Sequence, residues 1–238
     1  MKIEAQIWDW PLRLFHWLLV ASVVGAYASG KAGGEWTDWH GRCGSMVLGL
    51  LVFRLLWGFV GSRHARFSDF FPTLPRLIAY LRGRWQGAGH NPLGALAVLA
   101  LLGILAALAG TGLFANDDIA FEGPLFHLID KDFSDKLSGW HIKIVNGLIV
   151  IVGLHITAIL FYQRVKKTNL ILPMLTGKKQ LPQTLVPAVP QTAGALPLIL
   201  SLLIAASTVW GVWGGNVIEY LAPLAGVQTA TADAKTAN

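Results

Sequence analysis

Five long apolar stretches divide the chain, and short polar segments separate them. The hydrocarbon core of a membrane is about 30 Å thick, so a helix needs roughly 20 apolar residues to cross it. Stretches of that length occupy residues 11–30, 38–60, 93–114, 139–163 and 193–214. The pattern predicts an all-α integral membrane protein, in which a four-helix transmembrane bundle is followed by a fifth, C-terminal transmembrane helix.

The charged residues between these stretches predict how the chain crosses the membrane. Segment 61–92 contains five arginines and one acid, and segment 164–179 contains five basic residues and no acid. Segment 115–138 instead contains six acids and two lysines. Short loops rich in lysine and arginine remain in the cytoplasm, so the first two segments are expected inside and the third outside. We therefore expect a multi-pass membrane protein with its N-terminus on the cytoplasmic side and its C-terminus on the outer side.

The composition supports a membrane protein and excludes several other classes. Hydrophobic residues make up 54% of the 238 residues and charged residues only 13%, whereas a soluble domain has about 25% charged residues. The formal charge of +6 does not indicate nucleic-acid binding, because the basic residues are confined to short segments. The single cysteine excludes an internal disulfide. The absence of a Cys-x-x-Cys-His motif excludes covalently attached c-type haem.

The remaining segments complete the expected organisation. Residues 1–170 are expected to form the four-helix domain, with an amphipathic segment at 74–85 on the cytoplasmic surface. Residues 171–192 are interpreted as a Pro-rich cytoplasmic linker. The fifth helix follows at 193–214, and residues 215–238 form a periplasmic tail.

Four of the seven histidines lie within the predicted membrane spans, and they are His16, His40, His141 and His155. Ionisable residues are costly inside a membrane, so each of the four is a candidate functional residue. For any one of them alone, a histidine hydrogen-bonded across a helix interface is an equally good interpretation. His64, His90 and His127 fall in loops and are expected to be ordinary surface histidines.

The spacing of the four histidines predicts two pairs. His141 and His155 are 14 residues apart, which is about 21 Å along a helix and within about 40° of the same face. The expected topology brings His16 and His155 near the inner surface, and His40 and His141 near the outer surface. Two pairs of neutral imidazoles about 20 Å apart in a helix bundle are typical of two bis-histidine haems. Zinc fits less well, because two histidines alone do not complete a tetrahedral site.

Arginines and glycines near these pairs are candidates for further contacts with a haem. Arg13 and Arg42 each lie within one turn of a histidine, where a guanidinium can bind a haem propionate. Arg54 either serves the inner haem or extends to the lipid headgroups. Gly44 and Gly147 provide either clearance for the haem or a close contact between helices.

Several motifs occur together along residues 6–170. They are Trp8-Asp9-Trp10-Pro11-Leu12-Arg13-Leu14-Phe15-His16-Trp17, Arg54-Leu55-Leu56-Trp57-Gly58-Phe59-Val60-Gly61, Ala65-Arg66-Phe67, His90-Asn91-Pro92-Leu93-Gly94 and the His141/His155 pair. In this combination the chain resembles the prokaryotic cytochrome b561 family, which includes the b-type subunits of nickel-iron hydrogenases. The resemblance implies two non-covalent b haems in a four-helix bundle, one bound by His16 and His155 and the other by His40 and His141.

The resemblance also implies a function. Members of the family pass electrons between membrane quinone and a periplasmic redox partner, and in some of them the quinone site lies beside the inner haem. The expected protein is a di-haem b-type cytochrome that connects quinone or quinol with a periplasmic c-type cytochrome or oxidoreductase subunit. Whether it acts as an enzyme, as a component of a quinol:cytochrome c oxidoreductase, stays open.

Other interpretations remain. A superoxide oxidase-like enzyme that reduces quinone is the main alternative, and a haem-free transporter or assembly subunit is a minor one. The acidic segment 115–138 is either a landing surface for a basic protein or a plain solvated loop. The fifth helix and the linker depart from the minimal four-helix version of the family. The sequence leaves open whether the fifth helix packs on the bundle or forms a homodimer contact.

Overall fold

Five long helices dominate the computed structural model, which describes residues 2–119, 121–186 and 193–213. The long helices are α1 (Trp10–Ala32), α2 (Thr37–Val60), α5 (Pro92–Leu113), α6 (Lys131–Arg164) and α8 (Ala195–Trp213). Three short helices lie between them, α3 (Phe67–Phe70), α4 (Leu74–Leu81) and α7 (Ile171–Thr176). Two strands, β1 (Lys2–Gln6) and β2 (Lys178–Pro182), complete the regular elements apart from short 3-10 turns.

Side-chain caps determine where three of the long helices begin. Asp9, Asn91 and Asp130 each accept a hydrogen bond from a backbone N–H three residues later, at 2.8, 2.7 and 2.9 Å. Pro11 and Pro92 follow two of these caps, at positions where a missing N–H costs no helical hydrogen bond. Local sequence therefore sets the starts of α1, α5 and α6.

The five long helices confirm the five predicted spans. In the most apolar part of each, at most 39% of the residues are buried inside the protein, so most apolar side chains face outward as they do in lipid. Helix α6 has 34 residues and begins at Lys131, so the last part of the predicted acidic loop 115–138 is helical instead. At about 51 Å, α6 is longer than the membrane core is thick.

The loops give the bundle two chemically different ends. The acidic end carries residues 114–130, between α5 and α6. The basic end carries residues 61–91 and residues 165–186. Helix α4 lies at the basic end, within the predicted amphipathic segment 74–85, and ends at Leu81.

Helix α2 is the centre of the bundle. It packs against α1, α5 and α8, while α6 packs mainly against α5. The contact between α2 and α8 is close at Gly49, where an added Cβ would lie 2.7 Å from Cγ2 of Val209. Ser201 and Ala205 of α8 are buried. The fifth helix therefore packs on the other helices of the same chain.

A two-stranded sheet at the basic end corrects the all-α expectation. Strand β1 pairs antiparallel with β2, so that Ile3 lies opposite Leu181 and Ala5 opposite Lys179. Ala5 and Leu181 are buried in the core beside Trp8. The predicted linker 171–192 thus contains α7 and β2, while its residues 187–192 and the predicted tail 215–238 lie outside the described residues.

Candidate functional site

His40 and His141 lie together at the acidic end. His40 is in the first turn of α2, and His141 is in α6. Their ring centroids are 5.9 Å apart, with an angle of 77° between the ring planes. This distance is also that of an ordinary edge-to-face aromatic pair. The hydrogen bonds and the cavity beside the rings therefore decide what the pair can do.

Hydrogen bonds orient both rings in the same way. Nδ1 of His40 donates to the carbonyl oxygen of Ala26 at 2.8 Å. Nδ1 of His141 lies 3.1 Å from the hydroxyl of Thr111. This hydroxyl donates its single hydrogen to the carbonyl oxygen of Ala107 at 2.8 Å. It therefore accepts a hydrogen bond from the histidine. With Nδ1 protonated in both neutral rings, each Nε2 keeps its lone pair. Metal-binding histidines have this arrangement.

A cavity of about 570 Å³ adjoins the two histidines, within the range of about 300–1,000 Å³ for cofactor and ligand sites. Small residues open it, because no neighbouring atom of the described residues lies within 4 Å of where a Cβ on Gly44 would be. The two rings pack closely against glycines of neighbouring helices. A Cβ added to Gly30 would lie 2.8 Å from the His40 ring, and one added to Gly112 would lie 3.2 Å from the His141 ring. A planar cofactor ligated by both histidines fits these observations.

His16 and His155 form the corresponding pair at the basic end. Both are half-buried, and they are close enough for their charges to interact. Within the described residues, Nδ1 of His16 and Nε of Arg13 are buried without a hydrogen-bond partner. Buried polar atoms rarely stay unpaired, since each costs about 1–3 kcal/mol. A ligand with a carboxylate, such as a haem propionate, fits the unpaired Arg13 nitrogen.

Helix α7 covers this part of α1. Arg13 donates through Nη1 to the carbonyl of Leu175, and Nε1 of Trp17 donates to the carbonyl of Met174 at 3.3 Å. Both donors flank His16 in the sequence. Residues 171–176 therefore hold the first turns of α1 in position.

Comparison with known proteins shows the family of the chain. The family described as prokaryotic cytochrome b561 matches residues 7–177. The chain belongs to this family. A relative from Bradyrhizobium diazoefficiens, named "probable Ni/Fe-hydrogenase B-type cytochrome subunit", is 23% identical over 210 residues, which cover 73% of this chain and 85% of the relative. No solved structure matches the chain.

The prokaryotic cytochrome b561 family consists of b-type cytochromes, and the five long apolar helices agree with a multi-pass membrane protein. The cofactor of such a protein is haem b, and its role is membrane electron transport.

The match to the family ends at residue 177, yet α8 reaches the cavity at the acidic end. The Trp213 ring lines it, and an added Cβ on Gly41 would lie 2.7 Å from this ring.

Two of the residues predicted to contact a haem lie elsewhere. Arg42 is exposed and stacks on Trp39, with 5.2 Å from its guanidinium to the ring centroid, and it does not line the cavity. An added Cβ on Gly147 would lie 3.2 Å from Ile104, so this glycine serves the contact between α5 and α6. The cation that does line the cavity is Lys31.

Of the two alternatives for Arg54, the structure excludes extension to the lipid headgroups, because the residue is buried. Only 2% of the surface of Arg54 is exposed. The guanidinium lies 4.7 Å from the ring centroid of Phe67 and 5.9 Å from that of Phe70. Its Nη1 has no hydrogen-bond partner among the described residues. The surrounding rings hold Arg54 inside the basic end of the protein.

The three loop histidines differ from one another. His127 is exposed beside Glu122, at 3.1 Å, as expected. His90 contradicts the expectation, because it is enclosed by Trp8 and Phe70 at ring-centroid distances of 4.4 and 4.7 Å. Burial, helped by nearby positive charges, lowers the pKa of His90 to about 3. His64 is also largely enclosed and contacts Asp69 at 2.9 Å.

Sequence analysis missed the residues that orient the outer histidines. The carbonyl of Ala26 belongs to an ordinary apolar helix, and Thr111 occurs in the small-residue run Ala109-Gly110-Thr111-Gly112. A threonine in a membrane helix usually bonds its own helix, as Thr111 also does. No local signal distinguishes it, since its second contact depends on where α6 lies.

Proposed function

We propose that the protein is a di-haem b-type cytochrome that carries electrons across the bacterial inner membrane, between quinone or quinol and a redox protein on the periplasmic side. The observation that supports it most is the His40–His141 pair. Nδ1 of each ring has a hydrogen-bond partner, and both histidines line a cavity large enough for a cofactor.

The proposed axial ligands are His40 and His141 at the acidic end, and His16 and His155 at the basic end. Arg13, whose Nε has no partner among the described residues, and Lys31, which lines the outer cavity, are the proposed partners of propionates. Haem b supplies reversible one-electron chemistry at its iron. Two histidines per iron leave no open position for oxygen, so the arrangement favours electron transfer over oxygen chemistry.

The chain's own residues prepare the two sites. Ala26 and Thr111 hold the outer imidazoles in the neutral tautomer that a metal requires. Helices α1, α2, α5 and α6 contribute mainly apolar residues to the wall of the outer cavity. The two histidines of α6 are separated by about 21 Å, so electrons can enter near one membrane surface and leave near the other.

Orientation and partners follow from the charged ends. We assign the basic end to the cytoplasm and the acidic end to the periplasm. Quinone is proposed to react near His16 and His155. At the acidic end, exposed carboxylates including Asp118 and Glu122 can attract a basic c-type cytochrome or an oxidoreductase subunit. The name of the Bradyrhizobium relative makes a hydrogenase one such partner.

Haem counting tests the proposal. A pyridine haemochrome assay on the purified protein should find two haem b per chain. His40→Ala and His16→Ala should each lower the count to about one, because each removes one axial ligand. His127→Ala is the matched control, since His127 is exposed at the same end as His40, and it should retain two. A count of one or none in the unchanged protein contradicts the proposal.

A second candidate function is superoxide oxidation coupled to quinone reduction. Lys31 lines the outer cavity and provides a positive charge that can attract a small anion. In this reaction two superoxide ions lose one electron each, and quinone takes up both electrons and two protons to give quinol. Superoxide-dependent quinone reduction by the haem-loaded protein, decreased in Lys31→Gln, would favour this candidate. If the haem-loaded protein does not reduce quinone with superoxide, the cytochrome function stays the proposal.

A further inference from the structure

A second cavity, of about 400 Å³, lies at the basic end, away from both histidine pairs. The segment between α2 and α5 forms most of its wall, and residues 184–186 close one side. Its polar lining residues are Arg63, His64, Asp69, Arg76, Gln86, His90 and Thr184. Nothing in the proposed electron-transfer function uses this cavity.

The cavity carries an excess of positive charge. Its one carboxylate, Asp69, is already bound by Arg63 at 3.3 Å and by His64 at 2.9 Å. Burial raises the pKa of Asp69, but hydrogen bonds and charge from His64 and Arg63 outweigh burial and leave the pKa below its ordinary value. Asp69 is therefore ionised and neutralised. No carboxylate pairs with Arg76 in the part of the chain that the structure describes.

Arg76 is held in place by the backbone alone. One of its nitrogens, Nη1, donates to the carbonyl oxygens of Asp69 and Phe71, both at 3.0 Å. Among the described residues, the other nitrogens of the guanidinium have no hydrogen-bond acceptor. A planar guanidinium of this kind can bind two oxygens of a phosphate at once.

His90 contributes a neutral polar atom to the wall. The ring is enclosed by Trp8 and Phe70. Its Nδ1 is buried and has no hydrogen-bond partner among the described residues. Since buried polar atoms are nearly always paired, this nitrogen lacks a partner that a bound molecule can supply.

The cavity opens at the level of the membrane surface. Leu74, Ile78 and Leu81 of α4 are spaced to lie on one face of the helix, and all three are exposed. An exposed apolar face on a short surface helix is typical of a helix embedded in the lipid headgroup region. Arg76 belongs to the same helix, so the cationic cavity lies beside the headgroups.

We propose that this cavity binds a phosphate group, with Arg63 and Arg76 as its cationic partners and His90 as a neutral hydrogen-bond partner. Basic pockets next to membrane helices commonly bind the phosphates of anionic lipids. The same groups can also bind free phosphate. The proposal does not depend on the number of haems or on the redox partner.

Thermal unfolding of the full-length, haem-loaded protein in detergent tests the proposal. Inorganic phosphate is compared with chloride at equal ionic strength, and phosphatidylglycerol is compared with phosphatidylcholine. We expect a saturable rise in Tm with inorganic phosphate, with phosphatidylglycerol, or with both. A rise with phosphate identifies a site open to the free ion, and a rise with phosphatidylglycerol alone identifies a lipid headgroup site. No rise with either probe overturns the proposal.

Paired variants show whether the cavity is responsible. The double variant Arg63→Gln/Arg76→Gln should weaken binding of the effective probe at least tenfold. The double variant Arg82→Gln/Arg84→Gln removes the same charge from the same segment without touching the cavity lining, and it should bind as the unchanged protein does. Arg76→Gln alone, at an exposed position, serves if the first double variant does not fold. Equal binding by cavity and control variants overturns the proposal.

Discussion

At the scale of single residues, the two histidine pairs are held differently. His40 and His141 each have a partner at Nδ1, so their rings are oriented before any cofactor binds. Nδ1 of His16 has no partner among the described residues. Metal ligands whose second nitrogen is bonded are better fixed in tautomer and orientation. We expect the outer site to be the more rigid of the two.

The hydroxyl of Thr111 can be removed with little change in shape by Thr111→Val. Loss of a residue that hydrogen-bonds a metal ligand typically lowers metal affinity about 10- to 100-fold. We expect the outer haem to leave faster than in the unchanged protein, as measured by transfer of haem to a scavenging protein. Thr208→Val on α8 is the control. Like Thr111→Val, it removes a hydrogen bond to the carbonyl four residues earlier, and it should not change the rate of haem loss. Equal rates in the two variants contradict the assigned role.

The buried imidazole of His90 should make stability depend on pH. Its pKa is about 3 in the folded protein and about 6.5 in an unfolded chain. Between these values the unfolded chain binds a proton that the folded protein does not. The free energy of unfolding should therefore fall as pH decreases from 6.5 towards 3, by up to about 1.4 kcal/mol per pH unit.

Thermal unfolding between pH 7.5 and pH 5 measures this effect. The His90→Gln variant should show a smaller loss of Tm on acidification than the unchanged protein. His127→Gln, at an exposed histidine, should keep the original pH dependence. If both variants follow the unchanged protein, His90 is not the group responsible.

At the scale of elements, the turn after α2 is joined to that helix by a very close contact. The Phe67 ring of α3 lies directly over Gly58, where an added Cβ would be 2.0 Å from Cε2. The same ring lies over Arg54, and Trp57 donates to Asp9 at 2.9 Å. One turn of α2 thus binds α3 and the start of α1. The buried arginine is enclosed because these three elements meet there.

Gly58→Ala tests this junction. A methyl group cannot fit without moving the Phe67 ring, so we expect a loss of about 1–3 kcal/mol in the free energy of unfolding. Gly103→Ala is the matched control in α5, because within the described part of the chain no neighbouring atom lies within 4 Å of its added Cβ. Alanine is a better helix former than glycine, so this control should keep or slightly raise Tm. A similar Tm for both variants contradicts the close contact.

At the scale of the whole molecule, the helices form two antiparallel pairs, α1 with α2 and α5 with α6. The pairs are joined mainly through α2 and α5. The histidines face one another across the interval between the pairs, and the outer cavity lies in that interval. Helix α8 lies against α2 and contributes Trp213 to the cavity wall. The assembly therefore combines rigid pairs with space for a cofactor between them.

Cysteine labelling tests the orientation of the molecule. In a Cys43→Ser background, Asp132→Cys at the acidic end should react with a membrane-impermeant maleimide in intact spheroplasts. Arg82→Cys at the basic end should react only after the membrane is permeabilised. The physical reason is the retention of arginine-rich loops in the cytoplasm. The opposite labelling pattern contradicts the proposed topology.

The sequence by itself determined the five spans and the proximity of His40 to His141. It also encodes the side-chain caps of three helices, although the predicted start of the fourth span, residue 139, lies eight residues after the start of α6 at Lys131. Hydrophobic length, capping side chains and helical periodicity are local properties, and they do not depend on which segments meet. That these histidines bind haem iron stays a prediction.

Only the tertiary structure decided which polar groups are buried and what they contact. His90 and Arg54 are enclosed because segments distant in the sequence meet around them, as Trp8 and Phe70 do around His90. Strand β1 pairs with β2, and the paired residues, from Lys2 with Pro182 to Gln6 with Lys178, are far apart in the sequence. Thr111 meets His141 only because α5 packs on α6. Burial and hydrogen bonding between distant segments depend on packing, which no local pattern encodes.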